Sequence, residues 1–133
     1  MDHQLALHLE STRPRLAWGS LDLEERAVAA ALRWGRANAR QVPEVARVAE
    51  LSVRKTQKVI SQLILVHHWP IGTGMTTPFG NYLIDSAEEL EETVTLLHDR
   101  AVAELTRAAA LRRMSLQDYL RHAQLELRLP KAS

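Results

Sequence analysis

The segment AELSVRKTQKVISQL, residues 49–63, places Arg54, Lys55 and Lys58 inside a run that otherwise keeps an apolar period. On a helix turning about 100° per residue from Ser52, Val53, Thr56, Val59, Ile60, Leu63 and Ile64 fall between about 340° and 120°. Arg54, Lys55, Lys58, Ser61 and Gln62 fall between about 180° and 300° on the same wheel. One face is made for a core, and the other suits a polyanion or plain water. Leu51–Ser52 reads as a tight break before this helix, with Ser52 as its N-cap.

Upstream, VPEVARVAEL predicts another helix, with Pro43 in its first turn, where no donor is lost, and Val45, Val48 and Ala49 at helical spacing. Before that, DLEERAVAAALRWGRANA predicts a longer helix capped by Ser20 or Asp22, its acids in the first turn. Leu23, Ala27, Ala30 and Trp34 share one side of it, widened by Val28, Ala31, Leu32 and Gly35. Downstream, VHHWPI (66–71) and FGNYLI (79–84) flank a loop rich in Gly and Thr, which predicts a β-hairpin with a long tip. Pro70 confines the first run to an edge strand. SAEE (86–89) has the form of a capping box, Ser86 with Glu89, opening a long helix. Leu90, Val94, Leu97, Ala101, Leu105, Ala108 and Leu111 follow at steps of three and four. Ser115 is placed to cap a last short helix. The two ends, QLALHLE (4–10) and QLELRLP (124–130), alternate leucine with other residues in a strand-like period.

The organisation expected is a strand-like arm over 1–19, a helix-and-hairpin domain over 20–85, and a long helix with its tail over 86–133. The fold class is mainly α with a β-hairpin, α+β.

Composition narrows the function classes. The chain has 133 residues, 25% of them charged, and no cysteine. That allows one domain with a real core and an extension, and it excludes a disulfide framework or a thiolate metal site. No apolar run approaches the roughly 20 residues of a membrane span, and the N-terminus lacks the form of a signal peptide. A cytoplasmic location is therefore the default. Net charge is only +1, because segments of opposite sign cancel. Residues 40–68 carry five bases against two acids, 85–104 seven acids against one base, and 105–133 six bases against two acids. A basic contact surface beside an acidic helix has this pattern, and so does a set of solvated faces.

Helix, helix, tight turn, helix, hairpin is the order of a winged helix-turn-helix, in which the third helix lies in the major groove. LSVRKTQKVISQL resembles the Ser-x-Arg-x-x-x-Lys-x-Ile-x-x-Leu recognition helices of winged-helix proteins. Residues 68–114 resemble the wing and trailing helix of small phage and prophage winged-helix proteins: Pro70-Ile71 opens the wing, Gly80 and Tyr82 close it, and Glu88-Glu89-Leu90 with the late Arg100 follow. Asn81, between Gly80 and Tyr82, departs from that pattern. The resemblance spans roughly residues 22 to 114 and implies double-stranded DNA as partner, in phage-type transcription regulation or DNA replication.

On this reading Ser52, Arg54, Lys55, Gln57, Lys58 and Gln62 are the candidate contacts on the recognition helix, and Thr73, Thr76 and Thr77 those of the wing. Arg matches guanine bidentately and Gln matches adenine, whereas Lys suits phosphate. Leu90, Val94, Leu97, Ala101 and Leu105 either pack on the winged domain or form a homodimer seam. The dimer is the expectation, because a helix of this length overreaches so small a domain. Trp34 and Trp69 are expected in the core. His67 and His68 are neighbours and would point apart on a strand, so they do not share a metal. GTGMTTP lacks the ending of a phosphate loop, and no catalytic group, cofactor or metal site is legible. The alternative to DNA binding is a protein-interaction module that grips a polymerase or replisome component.

Overall fold

A computed structural model of the chain describes residues 13–74 and 76–126. Among them, α1 (Leu23–Ala31), α2 (Val42–Ala49), α3 (Val53–Leu65), β1 (Ile71–Gly74), β2 (Gly80–Leu83), α4 (Ala87–Leu111) and α5 (Leu116–Glu126) follow in that order. Short 3-10 turns lie at Trp18–Ser20 and Arg36–Asn38. The fold is α+β: mainly helical, with one antiparallel hairpin and a long C-terminal helix, in the order expected.

Local chemistry sets most boundaries. Asp22 closes a reciprocal capping box on α1: its carboxylate accepts from Glu25 N at 2.8 Å, and Glu25 accepts from Asp22 N at 2.9 Å. Pro43 lies in the first turn of α2. Glu50 turns left-handed at φ 58°, ending α2. Ser52 then starts α3, its Oγ accepting from Lys55 N at 3.0 Å. Ser115 does the same for α5, accepting from Asp118 N at 3.1 Å.

Two boundaries and one cap differ from expectation. The first helix ends at Ala31, not near Ala39, because Leu32 turns extended and the chain runs beside β2. Leu83 N donates to Arg33 O at 2.7 Å, and Gly35 N donates to Leu83 O at 2.8 Å. Arg40 and Asn81 then exchange main-chain bonds at 3.0 and 2.8 Å, so this connector acts as a broken third strand. Trp34 is thus outside the helix and half-buried, and Leu23 is 85% exposed. Val28, Ala29 and Ala31 form the buried face instead.

VHHWPI is not a strand over its length. Trp69 N bonds back to Leu63 O, His68 adopts φ 56°, and pairing begins only at Ile71, opposite Leu83. The capping box at Ser86 is half made. Ser86 Oγ accepts from Glu89 N at 3.2 Å, but the Glu89 carboxylate reaches Asp85 N at 2.7 Å and Arg36 N at 2.9 Å.

The core joins α1, α2, α3 and the hairpin through Val28, Leu32, Val45, Val59, Leu63, Trp69, Ile71 and Leu83. Each such side chain contributes about 1.5–3 kcal/mol by leaving water. Residues 13–19, the described part of the expected arm, also attach to this core. Leu16 packs against it, the Trp18 ring meets Trp69 edge-on at 5.0 Å, and Arg13 clamps Asp85 at 2.6 and 2.8 Å. The alternating run 4–10 lies outside the described residues. Of 124–130, Gln124–Glu126 are the end of α5 and the rest lie outside.

The chain divides into two compact units, one ending at Thr93 and one beginning at Val94. The boundary falls inside α4. The first turns of α4 are bound into the first unit: Glu92 pairs with Arg36 at 2.7 Å, and Thr93 Oγ1 accepts from Thr73 N at 3.2 Å.

Tyr82 links the sheet to that helix and supplies a test. Its ring crosses Gly72, its partner in the register, where an added Cβ would lie 2.5 Å from Tyr82 Cζ. The residue is wholly buried, and its hydroxyl has no hydrogen-bond partner among the described residues. Burial pushes the phenol above its ordinary value of 10.0, outweighing the opposing pull of the nearby Thr93 hydroxyl on α4. A raised acid keeps its proton longer folded than unfolded, so Tyr82 leaves stability independent of pH below 10.0 and lowers it as pH rises beyond. Tyr82→Phe should therefore match or exceed wild-type stability at neutral pH, by up to about 1 kcal/mol, since an unpaired buried hydroxyl is removed. It should also lose less stability above pH 10.0. Denaturant midpoints for both proteins across that range check this; parallel curves would place the phenol in water.

Candidate functional site

Helix α3 is fastened on one face and open on the other. Thr56, Val59, Ile60 and Leu63 are buried. Thr56 Oγ1 donates to Ser52 O at 2.8 Å, so its burial leaves no hydroxyl unpaired. Val53 and Ile64, together at one edge of the apolar arc, stay partly exposed at 43% and 37%. The buried arc is thus narrower than the sequence wheel drew it, trimmed along one edge.

On the opposite face Arg54, Gln57, Lys58 and Ser61 are exposed, while Lys55 and Gln62 are half-buried. Ser52 is exposed at the helix N-terminus, with its Oγ occupied by the cap. The cations differ in their commitments. Lys55 Nζ lies 3.2 Å from Glu24 Oε1 on α1. Arg40 is turned inward: its guanidinium donates to Ala31 O at 3.0 Å, closing the end of α1, and approaches Glu44 at 3.6 Å. Arg47, Arg54 and Lys58 form no ion pair among the described residues. Of the five bases counted in the basic segment, two are therefore spent within the fold.

The hairpin divides the three threonines. Thr76 and Thr77 are exposed at the tip, just before Pro78. Thr73 lies in the paired strand, half-buried, its Oγ1 accepting from Asn81 Nδ2 at 3.4 Å. Asn81 also donates to Gly72 O at 3.2 Å and holds the main chain of Arg40. Asn81, which departs from the resemblance noted in the sequence, is thus the residue that stitches the hairpin to the α1–α2 connector.

The histidines separate as well. His67 Nε2 lies 3.0 Å from Glu25 Oε2, a buried carboxylate whose other oxygen serves the α1 cap. His68 is exposed. Along α4, Leu90, Val94 and Leu97 are about half exposed, at 46%, 50% and 53%; Ala101 is exposed and Leu105 half-buried. None belongs to the core cluster.

Two features carry no signal in a local reading. One is the Lys55–Glu24 pair, formed between residues 31 positions apart. The other is the set of acids around the start of α4, which the sequence offers as a capping box and an acidic helix and the fold uses to hold Arg13 and Arg36. Among the described residues no helix is long and apolar enough to cross a membrane. No protein-family model, curated protein or solved structure matches the chain.

Proposed function

We propose that the chain is a DNA-binding protein of winged helix-turn-helix type, a phage-like regulator or replication accessory that acts as a homodimer and not as an enzyme. The observation that carries this reading is α3 itself. It is capped by Ser52, sealed to the core along Thr56, Val59, Ile60 and Leu63, and presents Arg54, Gln57 and Lys58 to solvent. A major groove admits one helix and offers edges that Arg and Gln distinguish. Thr76 and Thr77 at the hairpin tip suit flanking phosphates. The half-exposed stripe of Leu90, Val94 and Leu97 on α4, with Ala101 and Leu105, suits a second copy of the chain.

Selection of bound duplexes from a random pool, followed by a salt series, tests the reading. Binding should weaken steeply with salt as counterions are released. Absence of duplex affinity at low salt would sink it. Arg54→Ala should then lower discrimination between sites by about 1–3 kcal/mol. Lys58→Ala should weaken all sequences alike and flatten the salt slope by about one unit. Equal, sequence-blind losses from both would reduce Arg54 to a phosphate contact.

The second reading, a module that grips a polymerase or replisome component, is supported by apolar exposure beside the same site. Leu65 and Val66 at the end of α3 are 72% and 65% exposed, and Phe79 at the hairpin tip is 50% exposed. An interface centre of that kind favours protein over phosphate.

A further inference from the structure

Lys55 sits on the basic helix without being one of its free charges. Its main-chain N–H is held by Ser52, and its ammonium lies 3.2 Å from Glu24 Oε1, both side chains being half in water. Glu24 is not needed for the α1 cap, which Asp22 and Glu25 complete between them. It makes no other hydrogen bond or ion pair among the described residues. A phosphate arriving at Lys55 therefore has to displace this carboxylate and then lie beside it. An exposed pair is weak enough for the exchange to be close, and the displaced like charge opposes it.

Resting on the DNA reading above, we infer that Glu24 is a built-in competitor for phosphate at Lys55. It keeps the contact surface of α3 one cation short and so holds down affinity for DNA of any sequence. Glu24 is a positioning residue acting through Lys55, and the ligand it competes with is the duplex backbone. Base reading by Arg54 is untouched. A near-neutral chain that must not linger on random DNA gains from such an arrangement, because sequence-independent binding is set by the number of phosphates neutralised.

The test uses the full chain, a random-sequence duplex, and Glu24→Gln, Lys55→Ala and the double variant, with affinity followed over a salt series. Glu24→Gln should bind more tightly than wild type and steepen the log–log slope by about 0.9. Its advantage should then shrink roughly 3.5-fold between about 50 and 200 mM salt, the change that slope implies. Lys55→Ala should leave the wild-type slope nearly unchanged but flatten the slope by about 0.9 in the Glu24→Gln background. Glu24 also favours the α1 dipole, a stability effect that thermal melting reads separately. A Glu24→Gln slope equal to wild type overturns the inference. So does equal flattening by Lys55→Ala in both backgrounds, which would make Lys55 a phosphate contact already. If wild type and Glu24→Gln both ignore duplex at low salt, the DNA reading itself fails, and that outcome is distinct from the other two.

Discussion

Gly80→Ala should cost the protein about 3 kcal/mol or more, a large share of the roughly 5–15 kcal/mol by which a domain is stable. Two independent effects combine. Gly80 has φ +124°, a conformation L side chains rarely adopt. An added Cβ would also collide with the carbonyl group of Arg40 and the main-chain N of Gln41. Neither obstacle is the flexible tip of a side chain, so neither can swing away. The only relief is to pull β2 from the α1–α2 connector, which breaks the Arg40–Asn81 bonds beside it. Gly19→Ala is the control: a Cβ there meets nothing within 4 Å. Its midpoint in urea should stay within about 0.5 kcal/mol of wild type, while that of Gly80→Ala falls. Equal midpoints for the two variants would show that the connector does not lie against β2.

The same junction marks where the sequence stops being informative. Asp22, Pro43, Ser52 and Ser115 act within one turn of themselves, so their roles are readable from their neighbours. Arg33, Gly35 and Arg40 find their partners in Leu83 and Asn81, 41 to 50 positions later, and nothing local announces this. The apolar spacing of Leu23, Ala27, Ala30 and Trp34 therefore misleads: it continues past Ala31, where the main chain has already left the helix to meet β2. Trp69 is legible as a core residue from its large aromatic ring alone. Its neighbours His67 and His68 were not legible as a turn, since their main chain closes back on α3 rather than forward along a strand.

The candidate site follows the same division. A helical wheel finds the open face of α3 because that face is periodic, and Arg54, Gln57, Lys58 and Ser61 are all exposed there. A wheel does not see the neighbouring helix, so Lys55 and Arg54 look equivalent until Glu24 is placed beside one of them. Charge counting fails in the same way. Arg40 enters the basic total but closes the end of α1, and Asp85, Glu89 and Glu92 enter the acidic total but bind Arg13, Arg36 and main-chain N–H groups. The free charge of the surface is smaller than the sequence tally in both signs. Net charge is consequently a weak guide to whether this chain meets DNA.

Leu97→Glu should convert the proposed dimer to a monomer without unfolding the chain. Helix α4 runs 25 residues, about 37 Å at 1.5 Å per residue, and Leu97 lies outside the core cluster with half its surface exposed. In a single chain, then, a glutamate at this position meets water and costs little. In a seam made from Leu90, Val94, Leu97, Ala101 and Leu105 it would face apolar side chains of a second copy, and an unpaired buried charge is expensive enough to split a modest interface. The variant should sediment as a monomer while circular dichroism keeps its helical signal. Affinity for DNA carrying two half-sites should fall about 10²-fold or more, because the second contact is no longer linked to the first. Affinity for one half-site should barely change, since α3 is untouched. A wild-type chain that sediments as a monomer at high concentration removes the seam, and a Leu97→Glu chain that unfolds outright assigns the stripe to the interior of the monomer instead.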